Sequence, residues 1–217
     1  MQTLTEILVQ RGWAGRVLSQ AQLARVLDGS AQRRYNLVHR ALKAGELLQL
    51  RRGCYVVAPV LGNGLPHTFV LAQSLQPGSY VSFESALSFH GWIPESVPVT
   101  LSVTPGRRRQ EVNHAVLGLY RFVPLALRQG GLLAAVDRHT FGGQAALIAQ
   151  PIRALLDLLC LRKQPLVGLA AITRPLRIDP DLLGQVPSEA WQAVERVYAH
   201  KRMVAGIQAL RRELAAS

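Results

Sequence analysis

Residues Ser19 to Ser30 constrain this chain more than any other stretch, because they punctuate two helices in quick succession. Ser19-Gln20-Ala21-Gln22 has the form of a capping box, in which a Ser hydroxyl and a Gln three residues on satisfy exposed backbone N–H groups. The helix it opens should bury Leu23, Val26 and Leu27 and stop at Asp28-Gly29. Ser30 can then cap a third helix, Ala31 to Ala44, closed by Gly45. An earlier helix, Thr3 to Arg11, carries Leu4, Ile7 and Leu8 at helical spacing and ends at Gly12. Two helices joined by a tight Asp-Gly-Ser turn predict a helix-turn-helix.

The third helix carries the functional expectation. At about 100° per residue, Ala31, Tyr35, Val38 and Leu42 share one face, which is expected to point inward. Gln32, Arg33, Asn36, Arg40 and Lys43 fall within an arc of about 100° on the other side, with His39 at its border. A polar outer face is the norm for a helix, but this one holds donors and no acid. Arg can bond guanine edges bidentately, and Gln or Asn can bond adenine, so the face suits duplex DNA. Two short strands, Leu47 to Leu50 and Cys54 to Ala58, follow around Arg51-Arg52-Gly53. A basic hairpin after a recognition helix is the layout of a winged helix, which assigns Arg51 and Arg52 to phosphate.

Charge distribution agrees with that placement. Residues 1–60 hold nine Lys and Arg against three acids, half of the net charge of +12. The other half is spread over the remaining 157 residues. A strongly basic chain that is 49% hydrophobic and 18% charged is a folded protein with an anionic partner, not a disordered polycation. The loop composition from Ala58 to Pro66 predicts a boundary between a 1–60 domain and a 66–217 domain. An uncharged run from Cys54 to Phe83 is broken by four glycines and prolines in residues 59–66 alone, so no membrane span is expected. The first residues show no secretory leader, and two isolated cysteines, Cys54 and Cys160, read as buried thiols in a reducing, cytoplasmic setting.

The second domain alternates helix and strand signals, which makes the fold class α+β, with a mixed helix and sheet domain and a helical C-terminus. His67 to Leu75 predicts a helix, Tyr80-Val81 a short strand, and Ser82 a cap for the helix Phe83 to His90. Pro98 to Thr104 and Ala115 to Val123 predict strands, and apolar segments at Leu132–Val136 and Ala145–Ala149 complete a small sheet. Pro151 opens a helix with Ala154, Leu155, Leu158 and Leu159 inward, and Ser188 opens a helical pattern continuing to about Leu214.

Two blocks of this domain resemble a known family. Tyr80 to Arg109 (YVSFESALSFHGWIPESVPVTLSVTPGRRR) resembles the signature of the AbiEi antitoxins of type IV toxin–antitoxin and abortive-infection systems. Leu147 to Leu161 (LIAQPIRALLDLLCL) is similar to a second family block, A-x-P-E-K-A-L-x-D-L, with Ile152 and Arg153 in place of Glu and Lys. The resemblance runs from about Leu18 to Arg162. It implies an N-terminal winged helix, repression of the chain's own promoter at repeated half-sites, and a C-terminal domain that counters a nucleotidyltransferase-like toxin. Direct contact with that toxin is not required in type IV systems. Arg107, Arg108 and Arg109, clustered past a Pro-Gly turn, are the expected antitoxin residues.

Enzyme chemistry finds little purchase. The six histidines have no zinc-ligand spacing, a Gly-rich phosphate loop is absent, and no cofactor or catalytic residue is expected. Ser82, Ser85 and Ser88 lack an adjacent base, and no Glu-x-Lys or Asp-x-Lys tripeptide supports a common nuclease core. Glu84 is expected to support a helix N-terminus, and Asp137 to make a hydrogen bond at a loop edge. Asp157 within an apolar helix is the best anomaly. It keeps open an alternative, a nuclease-like enzyme targeted by its winged helix.

Overall fold

The computed structural model describes residues 3–59, 64–166 and 168–216, and the chain divides into two compact units. The first comprises Met1–Pro77 with Thr140–Ala146, the second Gly78–His139 with Leu147–Ser217. The division therefore falls later than the expected 60–66 loop, of which residues 60–63 lie outside the described residues. The chain is a mixed α/β protein, as its alternating patterns require.

In the first unit, α1 (Leu4–Gln10), β1 (Leu18–Ser19), α2 (Gln20–Val26) and α3 (Ala31–Lys43) precede the hairpin of β2 (Leu47–Arg51) and β3 (Cys54–Val57), and α4 (Thr68–Leu75) follows. The three strands form an antiparallel sheet in the order β1-β3-β2. The expected capping box forms: the Gln22 N–H donates to Ser19 Oγ at 3.2 Å and the Ser19 N–H to Gln22 Oε1 at 2.8 Å. Ser30 caps α3 with a single bond, its hydroxyl accepting the Arg33 N–H at 3.2 Å, and such caps contribute about 1 kcal/mol each. Leu4, Leu8, Leu23, Val26 and Leu27 meet Leu18, Leu47, Tyr55 and Val57 of the sheet in one core.

The extension to Pro77 has a local cause. Arg51 Nε donates to the Ser74 carbonyl at 2.7 Å, tying α4 to the hairpin. Residues 140–146 join through Gln144, whose carboxamide accepts from the Val17 N–H at 2.7 Å and donates to the Val17 carbonyl at 2.9 Å. The His67 ring stacks on Phe141 with centroids 3.9 Å apart.

The second unit contains β4 (Tyr80–Val81), α5 (Phe83–Phe89), β5 (Val99–Val103), β6 (Gln110–His114) and β7 (Gly118–Val123), then the strands β8 (Val136–Phe141) and β9 (Gln144–Ala149), whose tip is counted with the first unit. The helices α6 (Pro151–Arg162), α7 (Leu169–Thr173), α8 (Pro180–Gly184), α9 (Ser188–Glu195) and α10 (Lys201–Ala216) complete it. The sheet order is β6-β7-β5-β4-β9-β8, with β5·β7 and β4·β9 parallel. The central helix, α6, begins with Pro at its first turn and is buried without interruption from Ile152 to Cys160.

Several expected elements shift for identifiable reasons. The strand expected at 115–123 is preceded by a turn, because His114 Nδ1 accepts the Val116 and Leu117 N–H groups and β7 starts only at Gly118, where φ is +95°. Residues 132–135 are not strand; β8 starts at Val136. The long C-terminal helix breaks between α9 and α10, since the Ala199 N–H donates to the Ala126 carbonyl and the Arg128 N–H to the Val197 carbonyl. That bridge seats Tyr198 fully inside the core. The helices α7 and α8 were not expected from the pattern.

Candidate nucleic-acid interface

On α3 the side chains of Gln32, Arg33, Asn36, His39, Arg40 and Lys43 are all exposed, and the helix holds no acidic residue. Gln32 Nε2 donates to Asn36 Oδ1 at 3.0 Å and Arg40 Nε to the Asn36 carbonyl at 3.3 Å, so the middle of the face is partly ordered. Arg33 lies over Gly29, where a Cβ would come within 2.8 Å of its Cδ. Gly29 has a φ of +100°, which is what makes glycine the residue for that turn position; the exposed Arg33 side chain can move aside.

The inward face differs from the expected one. Ala41 is buried, while Arg34, Leu37, Val38 and Leu42 are half-buried, and Ala31 is exposed. Tyr35 is 64% exposed. The buried face is centred near Ala41 instead of Ala31, a rotation of about 80° around the helix. Ala41 lets α3 approach its neighbours closely, and Arg34 curls back to donate to the Gly29 carbonyl, which covers the flank. Tyr35 instead stands with the polar side chains, its ring 6.0 Å from that of His39 and inclined by 23°. Sequence reasoning placed it in the core; the signal that could have corrected it is the Leu37–Ala41 pair, at the spacing of one buried ridge.

In the hairpin turn Arg51 and Arg52 are both exposed. Arg51 is held by its bond to Ser74, and Arg52 projects from the turn at Gly53. Gly53 adopts a φ of +73° and its carbonyl accepts the Gln20 N–H at 2.8 Å, which joins the turn to the start of α2. Arg107, Arg108 and Arg109 belong to the second unit, exposed between β5 and β6, and make no ion pair among the described residues.

The carboxylate that stood out, Asp157, is fully buried and fully engaged. Oδ2 accepts from Tyr80 OH at 2.9 Å and Ser82 Oγ at 2.7 Å; Oδ1 accepts from Arg153 Nε at 2.9 Å and Tyr198 OH at 2.7 Å. Arg153 also donates to the Gly131 and Ala134 carbonyls and to Tyr80 OH. Burial alone would lower the guanidinium pKa, but the carboxylate beside it outweighs that and holds it above its ordinary value. Burial pushes both phenols up, and the Asp157 charge pushes them further. Ser82 therefore does not cap α5; its hydroxyl serves Asp157. The i, i+4 pair of opposite charges in an apolar helix was the readable signal for this cluster, whereas Tyr80, Ser82 and Tyr198 arrive from distant sequence.

The remaining candidates have plain partners. Glu84, in the first turn of α5, pairs with Arg162 at 2.5 Å. Asp137 accepts from Gln150 at 3.1 Å. Cys54 and Cys160 are buried free thiols, and burial pushes both pKa values up, which makes them poor nucleophiles. No helix among the described residues is long and apolar enough to cross a membrane.

No known protein-family profile matches the chain. No curated protein matches it either. Among solved structures it is similar to the RV2827C protein from Mycobacterium tuberculosis, at 16% identity and a TM-score of 0.48, over 98% of this chain and 79% of that one.

Proposed function

We propose that the chain is a DNA-binding transcriptional autorepressor and antitoxin, an AbiEi-like component of a type IV toxin–antitoxin system that acts in the cytoplasm in phage defence. One observation carries the DNA-binding part: the acid-free face of α3, where Gln32, Asn36, His39, Arg40 and Lys43 stand exposed on a helix capped by Ser30. In this reading the first unit is a winged helix. α3 enters the major groove, and the turn bearing Arg51 and Arg52 lies on phosphate. Arg40 and Asn36 read base edges, while Lys43 and the hairpin arginines set the register.

The antitoxin part rests on the resemblance of Tyr80–Arg109 and Leu147–Leu161 to the family blocks. Arg107, Arg108 and Arg109 are its assigned residues, and the toxin is countered without need for direct contact. Replacing all three by alanine should impair neutralisation of the toxin in a growth assay. A triple variant that neutralises fully would remove that assignment.

The DNA-binding reading is tested by gel shift with the chain's own promoter. Arg33→Ala and Arg40→Ala should each weaken specific binding by about 1–3 kcal/mol while the unfolding transition stays in place. Unchanged affinity in both variants would show that α3 is an ordinary solvated helix.

A further inference from the structure

Within the second unit a cavity of about 660 Å³ opens at the start of β8 and the first turns of α6 and α9. That volume is in the range of small-molecule sites, and the walls are mostly apolar with a few polar groups among them. Trp92, Val136, Ile152 and Leu182 supply apolar wall, and Asp137, Gln150, Gln185 and Glu189 supply polar groups. The sign of its charge is unexpected. In a chain with 25 Lys and Arg against 13 Asp and Glu, the lining holds two carboxylates and no Lys, Arg or His.

The carboxylates are placed for use. Gln150 Nε2 donates to Asp137 Oδ1 at 3.1 Å, which orients the group while leaving its second oxygen for another partner. Asp137 and Glu189 are both exposed, so neither is consumed in a buried pair as Asp157 is. A carboxylate is an acceptor only, so a ligand that meets these two groups has to bring donors, and a positively charged donor suits them best. The walls call for an apolar body attached to it.

We propose that this cavity binds a small organic cation, a protonated amine on an apolar body. The ammonium meets Asp137 and Glu189, and the apolar body lies against Trp92, Val136 and Leu182. An anion is the wrong ligand here even though the net charge of +12 draws anions to the protein as a whole.

That opposition makes the test discriminating. The full chain is titrated by ligand-observed NMR with tryptamine, 3-ethylindole and indole-3-propionate, three probes that share a ring and differ in charge. Tryptamine should bind saturably and at least about tenfold more tightly than indole-3-propionate. The isosteric Asp137→Asn/Glu189→Gln variant should erase that preference, with circular dichroism unchanged. Ala193→Phe, which fills the lining and keeps both carboxylates, should lose all three probes. No saturable tryptamine binding, equal binding of the three probes, a preference for the anion, or tryptamine affinity untouched in either variant would each overturn the proposal.

Discussion

Arg153 and Asp157, one turn apart on α6, form an ion pair of 2.9 Å in which neither side chain is exposed at all. Charges this deep persist only when every remaining lone pair and proton is also satisfied. Here Tyr80, Ser82 and Tyr198 fill the carboxylate, and the carbonyls of Gly131 and Ala134 take the guanidinium. The cluster thereby joins β4, α6, the segment before β8 and the bridge between α9 and α10. It is a structural centre, and Asp157 has no capacity left for chemistry on a substrate.

Removing one partner should therefore be costly. Asp157→Asn leaves Arg153 buried and uncompensated, and should lower the stability of the second unit by about 3–5 kcal/mol in urea unfolding. Arg153→Met with Asp157→Leu should cost less than the sum of the single changes, since no charge is then stranded. A cost below about 1 kcal/mol for Asp157→Asn would mean that water enters the site.

The same cluster sets an alkaline limit. Tyr80 and Tyr198 titrate higher folded than unfolded, so the folded state holds more protons once the pH passes the ordinary phenol value near 10. Their contribution is complete below that pH and is lost as the pH rises above it. Stability measured by urea titration should fall from about pH 10 upward. Tyr80→Phe and Tyr198→Phe should each flatten the fall; an identical slope in both variants would place its origin elsewhere.

Gly206 sits in α10 where an added Cβ would lie 2.6 Å from Leu166 Cβ. A Cβ cannot rotate away from its own backbone, so one segment must move. Gly206→Ala gains about 1 kcal/mol of helix propensity but should be destabilising overall, by about 1–3 kcal/mol of overpacking. A higher melting temperature in the variant would show that the segment holding Leu166 yields freely.

Tyr35 separates packing from recognition. Because its ring is exposed, Tyr35→Ala should change stability by no more than about 0.5 kcal/mol. On the proposed DNA-binding face it should nonetheless weaken promoter binding several-fold, as judged by gel shift. Unaltered binding would leave the Tyr35–His39 stack as a surface ornament of α3.

The two hairpin arginines should behave differently. Arg52→Ala should reduce the salt dependence of DNA binding by about one phosphate contact and leave the fold alone. Arg51→Ala should in addition loosen α4, because Arg51 Nε holds the Ser74 carbonyl. Hydrogen exchange across Thr68–Leu75 reads that difference directly; equal protection in the two variants would deny Arg51 its structural part.

Local signals were legible wherever the deciding interaction spans only a few residues. The Ser19–Gln22 box, the Ser30 cap, the turn at Gly29 and the Pro151 helix start all form as read, because each is a bond between near neighbours in the chain. So was the exposed set Gln32, Arg33, Asn36, His39, Arg40 and Lys43, since polar side chains avoid the core. Tertiary structure alone decided the rest. The rotation of α3 that exposes Tyr35 depends on which ridge the neighbouring elements accept, and helical periodicity permits both phases. Ser82 abandons its cap because Asp157, 75 residues later, offers a buried charge. The inward turn of Tyr198 likewise depends on a backbone bridge to residues 126–128. Sequence alone thus determined most of the helix and strand segments, those with strong local caps and turns above all, and where the basic face lies. Only the packed chain could determine which buried groups meet, because contact between distant segments is a property of the assembled core.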